Sequence, residues 1–315
     1  MPAAKNIEEK YINGIKVDKE DDKVFFNDET HTYYDKKTLK KYISVTTLIN
    51  AYSQEFDEEF WSAYKALEEL MDGDKWSIVK PMLLNTKKVK LELLPKWGIN
   101  EEQFKLTQDA IKAEYKRKRD ESCDRGTKIH EEFEMGFYNN KKFDFELYKL
   151  PNLCGEFECR QNYYKLDLKK GVYPELLLSC IFDNVYISGQ IDLCIVDDTD
   201  VYIIDHKTNA EIKKHSFFDS RRKKRIMMKA PLQNLEDCSW SHYCLQLSLY
   251  AYMIETLYPH LTIKELKINH IDHNNVETIL DVPYLKDDVQ RMIKDYSKKL
   301  RIKEQLDRNE PYKLG

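Results

Sequence analysis

Residues 173–209 read YPELLLSCIFDNVYISGQIDLCIVDDTDVYIIDHKTN, three apolar runs separated by Phe182-Asp183-Asn184 and by Asp197-Asp198-Thr199-Asp200. Short β-rich runs bounded by Asp, Asn, Ser and Gly are strand signals, so the stretch predicts a three-stranded meander. Glu175, Asp192, Asp205 and Lys207 interrupt these runs where burial should exclude charge. Asp205 and Lys207 stand two residues apart, and the strand pleat puts both side chains on one face at the end of the third strand. Asp192 opens the run Leu193 to Val196, and if that strand pairs with Val201 to Asp205 its carboxylate reaches the same patch. Clustered carboxylates repel unless a cation or a proton sits among them, and oxygen-rich sites suit Mg²⁺ or Mn²⁺. By themselves Asp205 and Lys207 read as a structural ion pair; two further segments change that reading.

Upstream lies Arg125-Gly126-Thr127-Lys128-Ile129-His130-Glu131-Glu132-Phe133-Glu134. On a helix His130 and Glu134 are one turn apart, so an imidazole and a carboxylate can converge on one ion. Downstream, in His242 to Tyr250, Gln246 and Tyr250 have the same spacing and put an amide and a phenol on one face of an apolar helix. In isolation His130 reads as a surface histidine or a satisfied core one, and the second pair as two polar residues at the rim of an amphipathic helix.

Taken in order, Gly126-Thr127-x-x-His130-x-x-x-Glu134, Gly189-x-x-Asp192, Asp205-x-Lys207-Thr208 and Gln246-x-x-x-Tyr250 resemble the RecB-like branch of the PD-(D/E)XK nuclease superfamily. That group includes the phage lambda exonuclease and the mitochondrial genome-maintenance exonuclease. The resemblance spans roughly residues 115 to 300, with a weaker echo in Ser44 to Ile49, which looks like a lead-in helix of phage members. It implies an α/β fold, mixed α+β, with a restriction-endonuclease-like core: a central mixed sheet flanked by helices, preceded by a helical N-terminal region. It also implies a metal-dependent DNA nuclease, an exonuclease acting on DNA ends or single strands in phage or mobile-element replication or recombination.

The roles that follow are those the resemblance implies. Asp192 and Asp205 hold Mg²⁺ or Mn²⁺, with the carbonyl of His206 and the imidazole of His130 as further ligands. Lys207 orients the attacking water or stabilises the charge that grows at phosphorus. Gln246 and Tyr250 hold the scissile phosphate or the adjacent nucleotide. Glu175, on the first core strand, ranks ahead of Glu134 as the third carboxylate. The iron–sulfur nucleases of this branch carry one Cys before the His motif and three near the C-terminus. Here Cys123 could take the first place, but Cys244 is the last cysteine, so no iron–sulfur cluster is expected.

Composition bounds the alternatives. The 315 residues are 42% hydrophobic, with 21 tyrosines and only 9 glycines and 9 prolines, which suits a globular chain and not a fibrous or disordered one. No run approaches the roughly 18 apolar residues of a membrane span, and Met1 to Lys10 lacks the apolar core of a secretory signal, so no membrane association is expected. Seven cysteines without regular spacing fit free thiols in a reducing compartment, hence a cytoplasmic protein, in the host cytoplasm if phage-encoded. The net charge of −4 does not favour a polyanion as a whole. Charges beyond a Debye length of about 8–10 Å are screened, so local basic clusters decide.

Along the chain, residues 1–115 read as an N-terminal hairpin and helical region shaping a DNA entrance, and 116–315 as the nuclease core. Residues 1–23 are polar and expected to be poorly ordered. Val24 to Phe26 and His31 to Tyr34 read as a hairpin, Ser44 as an N-cap, and Asp57 to Met71 as an amphipathic helix. Gly73 to Gly98 fits a helical insertion or a connector equally. Glu101 to Arg119 is helical and ends in a basic run containing Arg117 and Arg119; Gly136 to Gly171 is helical and tyrosine-rich. Arg221, Arg222 and Arg225 lie in the most basic segment, and with Arg117, Arg119 and Thr208 they are the candidate DNA contacts. A helix over Ser241 to Leu257, strands at Leu266 to Ile271 and Glu277 to Val282, and a helix from Lys286 to about Gln305 complete the chain. No P-loop is present, so no ATP-driven motor is encoded. The partners expected are DNA and phage recombination or replication proteins. Two rivals stay open: a catalytically inactive DNA-binding or packaging protein that keeps the nuclease fold, and a metal or small-molecule enzyme on an unrelated α/β scaffold.

Overall fold

The computed structural model describes residues 10–139, 145–150, 153, 156–160, 168–219 and 223–309. The chain divides into two compact units, Met1–Gln54 with Ile129–Gly315, and Glu55–Lys128.

The first unit is a mixed sheet flanked by helices, the arrangement expected of a restriction-endonuclease-like core. Its strands in chain order are β1 (Lys10–Ile12), β2 (Ile15–Val17), β3 (Lys19–Glu20), β4 (Val24–Asn27), β5 (Thr32–Asp35) and β6 (Lys41–Ser44), then β7 (Gly171–Phe182), β8 (Val185–Asp197) and β9 (Asp200–Lys207), and finally β10 (Phe218–Asp219), β11 (Lys224–Arg225), β12 (Thr262–Ile271) and β13 (Glu277–Val282). Helices α1 (Val45–Asn50), α5 (Ser239–Leu257) and α6 (Lys286–Asn309) belong to it, with the part of α4 (Glu101–Asn139) beyond Lys128. β1 pairs with β2 and β10 with β11 as separate ribbons; the main sheet runs β13-β12-β9-β8-β6-β5-β4-β3, with β7 also on β8.

The meander forms as its turn clusters predict: β7, β8 and β9 pair antiparallel in sequence. β8 is the pivot. β7 lines one of its edges along nearly the whole strand, while the other edge is shared by β9, opposite Leu193 to Asp197, and by β6, which runs parallel opposite Ile187 and Ser188. Among the described residues, Gly189 to Asp192 therefore pair with nothing on that second edge. The sheet forks there. α1 leaves the fork immediately after β6, capped by Ser44, whose hydroxyl accepts from Thr47 N. Buried Leu245, Leu249, Met253 and Ile254 of α5 and Val289 and Met292 of α6 pack with inward residues of β7 to β9 into the largest core.

The inward alternation slips at two acidic residues. On β7, Tyr173 and then Leu176, Leu178 and Cys180 face that core, while Val172 joins the cluster with Tyr148 and Phe157. On β8, Ile187 and Ile191 and then Cys194 and Val196 face it, while Leu193 and Ile195 join the other cluster. A strict two-residue period cannot produce either series. The change of face falls at Glu175 and at Asp192, opposite each other between the pairs Pro174–Leu193 and Leu176–Ile191. Glu175 has φ +48°, the left-handed region, which costs a non-glycine residue roughly 1–3 kcal/mol.

Two expectations need correction. Residues 10–20, expected to be poorly ordered, form β1, β2 and β3, because their backbone groups find partners in each other and in β4. The helix expected over 136–171 is absent from its described part beyond α4: 145–149 form turns, and Phe157 is buried without helix. Tyr163, Tyr164 and Leu166 of that expectation lie outside the described residues.

The second unit is helical. α2 (Glu58–Leu70) starts at Asp57, whose carboxylate accepts from Phe60 N, and α3 (Gly73–Thr86) starts at Asp72, which accepts from Lys75 N. Short 3₁₀ turns at Leu91–Leu93 and Pro95–Trp97 lead to α4. Phe60, Leu67, Leu83, Leu94 and Phe104 form this unit's own core.

Candidate metal centre

The opposed positions of Glu175 and Asp192 bring their carboxylates together, and His130 of α4 completes a group. Its Nδ1 lies 3.5 Å from Glu175 Oε1 and 3.6 Å from Asp192 Oδ1. One ligand atom from each of the three lies within 4.8 Å of the others. The His130 Nε2 faces the backbone carbonyl of His206 at 3.2 Å. Asp192 Oδ2 accepts from His206 N at 2.6 Å, so the second carboxylate is tied to β9.

Asp205 follows Ile204, the last β9 residue paired with β8, and is 1% exposed. Its Oδ1 accepts from Gln246 Nε2 at 3.0 Å, and Lys207 Nζ lies 2.5 Å from its Oδ2. Lys207 also sits 5.0 Å above the Tyr243 ring. Tyr250 is buried one turn along α5 from Gln246. A Cβ at Gly189 would meet its Cε1 at 2.9 Å, its hydroxyl at 3.0 Å and Val45 Cγ2 at 3.0 Å, so only glycine fits that strand position.

Charge is in conflict here. Burial, then repulsion from Asp205, pushes the Asp192 carboxyl up to about 7. Burial alone would lower His130, but Glu175 and Asp192 outweigh it and raise the imidazole to about 9. Burial would raise Glu175, yet His130 and Lys19 hold it below the usual carboxylate range. Lys207, which burial would lower, is raised by Asp205 and Asp192. The ring of His206, by contrast, is driven down to about 3 by burial, with His130 and Lys207 adding repulsion. That neutral ring stacks on Phe133, with centroids 4.1 Å apart.

Two carboxylates and an imidazole at this separation fit a divalent cation: it would relieve the repulsion that lifts Asp192 and take the place of the proton on His130. Glu134, the alternative third carboxylate, lies outside the group. It is 3.6 Å from Lys19 Nζ and accepts from Tyr138 OH at 3.2 Å, while Lys19 also approaches Glu175 Oε2 at 3.4 Å. Lys19 was missed by sequence reasoning, because a lysine in a polar N-terminal stretch carries no spacing signal. Asn269 was missed too. Its amide nitrogen lies 3.3 Å from His206 Nδ1 and 2.6 Å from Glu277 Oε2, in a strand whose pairing is non-local.

The basic residues have varied surroundings. Arg117 pairs on its own helix with Glu114 and Glu121, and Arg119 is exposed. Arg225 donates to Ser216 O at 2.7 Å and packs over Phe218. Thr208 is half-buried just past the end of β9, and Arg221 and Arg222 lie outside the described residues. Among the described residues no helix is long and apolar enough to cross a membrane.

Fold and site together define a mixed α/β protein with an acidic–histidine centre at the fork of its sheet. No family model matches the chain, and no curated protein does. Among solved structures it is similar to a "Putative exonuclease" from Eubacterium rectale, with 13% identity and a TM-score of 0.30 over 45% of this chain and 53% of that one. It is also similar to SSO0001, with 16% identity and a TM-score of 0.24 over 41% of this chain and 50% of the other. The chain spans about half the length of these solved structures.

Proposed function

We propose that the protein is a metal-dependent nuclease that hydrolyses phosphodiester bonds of DNA. The observation that carries this reading is the convergence of His130, Glu175 and Asp192 within 4.8 Å, beside the Asp205–Lys207 pair. In this reading His130, Glu175 and Asp192 hold a Mg²⁺ or Mn²⁺ ion, with Asp205 and the His206 carbonyl as further oxygen donors. Such an ion supplies a lowered pKa for bound water and neutralises charge on a phosphoryl group.

The protein's own groups do the rest. Lys207, raised above its ordinary pKa, stays an ammonium at neutral pH and offsets negative charge growing on the phosphoryl oxygens. Asp205 fixes that ammonium, and Gln246 orients Asp205. Tyr250 acts as a buried support behind Gly189. Action on DNA ends or single strands, as an exonuclease of phage or mobile-element replication, is the form of the activity that the motif resemblance favours.

The test is digestion of an end-labelled oligonucleotide with Mn²⁺ or Mg²⁺, and with EDTA as control. Wild type degrades it only with metal, and Asp205→Ala and Lys207→Ala abolish degradation while the circular dichroism spectrum stays unchanged. Binding without cleavage would turn the reading to a silent DNA-binding protein. Turnover equal in Lys207→Ala and wild type would remove the assignment of the site.

A further inference from the structure

A cavity of about 830 Å³ in the first unit lies away from the acidic centre, at the β7–β8 turn. Glu175 and Phe182 are seven residues apart on β7, which separates the two places by roughly 20 Å at ~3.3 Å per residue. The cavity's volume falls in the roughly 300–1,000 Å³ range of ligand clefts. One wall is aromatic: Phe182 and Tyr252 stack with centroids 5.1 Å apart and planes 15° from parallel, and both stay half-exposed. The opposite wall is α6, whose Arg291, Lys294, Lys298 and Arg301 recur every three or four residues and so share one helix face.

The acids of this cavity are already satisfied. Asp295 is bound by Lys299 at 2.6 Å and by the Tyr52 hydroxyl at 2.8 Å, and Asp183 by Ser297 and Arg301. Arg291 is engaged by Asp288. Among the described residues no ion pair or hydrogen bond holds Lys294 or Lys298. Their two exposed ammonium groups stand one helical turn apart, about 6 Å, with the Asp295 carboxylate near Lys298, and line the cavity together with the aromatic shelf on a chain whose net charge is negative. Stacking rings beside a cationic ridge are what a single strand with exposed bases and evenly spaced phosphates requires. We infer that this groove binds a short run of single-stranded nucleic acid, with bases against Phe182 and Tyr252 and phosphates along Lys294 and Lys298. The inference rests on the nuclease reading only for the source of the strand; it gives that reading a second contact that holds the polymer beyond the reacting phosphate.

The test uses the full chain in EDTA, where nothing is cut, with a fluorescein-labelled oligothymidylate. Lys294→Gln/Lys298→Gln is expected to weaken binding about tenfold. It should also make log Kd against log salt shallower by about 1.4, at about 0.7 per lost single-strand phosphate contact. An oligonucleotide carrying 2-aminopurine should lose fluorescence on binding wild type and keep it with Tyr252→Leu. Unchanged affinity and salt slope in the lysine variant would overturn the proposal, as would a loss confined to vesicles of phosphatidylserine and phosphatidylcholine. Hydrolysis of bis(p-nitrophenyl) phosphate with Mn²⁺, followed in parallel, should be equal in wild type and the lysine variant. If neither hydrolyses it while the binding differences persist, the nuclease reading falls and the groove stands.

Discussion

Asp192 sits where two demands collide, because its burial and its neighbour Asp205 both oppose the charge that its proposed role as a metal ligand requires. Asp192→Asn keeps an oxygen for His206 N and removes that conflict. The metal-free variant should gain on the order of 1–3 kcal/mol at pH 8 and should bind no Mn²⁺, checked by chemical denaturation and calorimetric titration. The pH dependence follows from the same residues. Asp192 binds its proton more tightly folded, at about 7 against 3.8, and so does His130, at about 9 against 6.5. Wherever the native state holds more protons than the unfolded chain, stability falls as pH rises. The contribution of Asp192 is therefore full below about 4 and gone above about 7; that of His130 is full below about 6.5 and gone above about 9. Both protons must leave before a cation binds. Added Mn²⁺ should accordingly raise the Tm several degrees more at pH 8.5 than at pH 6, and equal shifts at both would count against these ligands.

At the scale of elements, β8 and its fork decide the site. Gly189→Ala would drive a methyl group against Tyr250 and Val45, and a loss of roughly 1–3 kcal/mol is expected, read from urea unfolding. The meander, α2, α5 and the β4–β5 hairpin were legible in the sequence, because turn residues and apolar spacing are local signals. Asp192, Asp205 and Lys207 were legible as charges inside apolar strands. The slip of faces at Glu175 and Asp192 was not. Leu176-Leu177-Leu178 and Ile191 to Val196 are almost wholly apolar, and a strand buried on both sides reads the same whichever face each residue takes. The pairing of β6 with β8 was hidden for another reason: it joins residues far apart in the chain, and no spacing within either strand encodes it. Lys19 came to the site by that route.

At the scale of the whole molecule, the two units have separate cores, and the acidic centre draws its residues from one of them. Leu67→Ala, in the fully buried middle of α2, should cost about 2–5 kcal/mol within 55–128. Hydrogen exchange should show protection lost there, while Mn²⁺ affinity, measured by calorimetry, stays within about twofold; a large fall in affinity would show that the centre depends on the other core. The matched slip in β7 and β8 also constrains how this protein can diverge. An insertion or deletion of one residue between Glu175 and Asp192 would carry the two acids out of line with one another. Drift in this hairpin must then proceed through substitutions or through changes of length matched on the two strands, and descendants that keep the chemistry will keep those two acids opposite each other, however much their letters change.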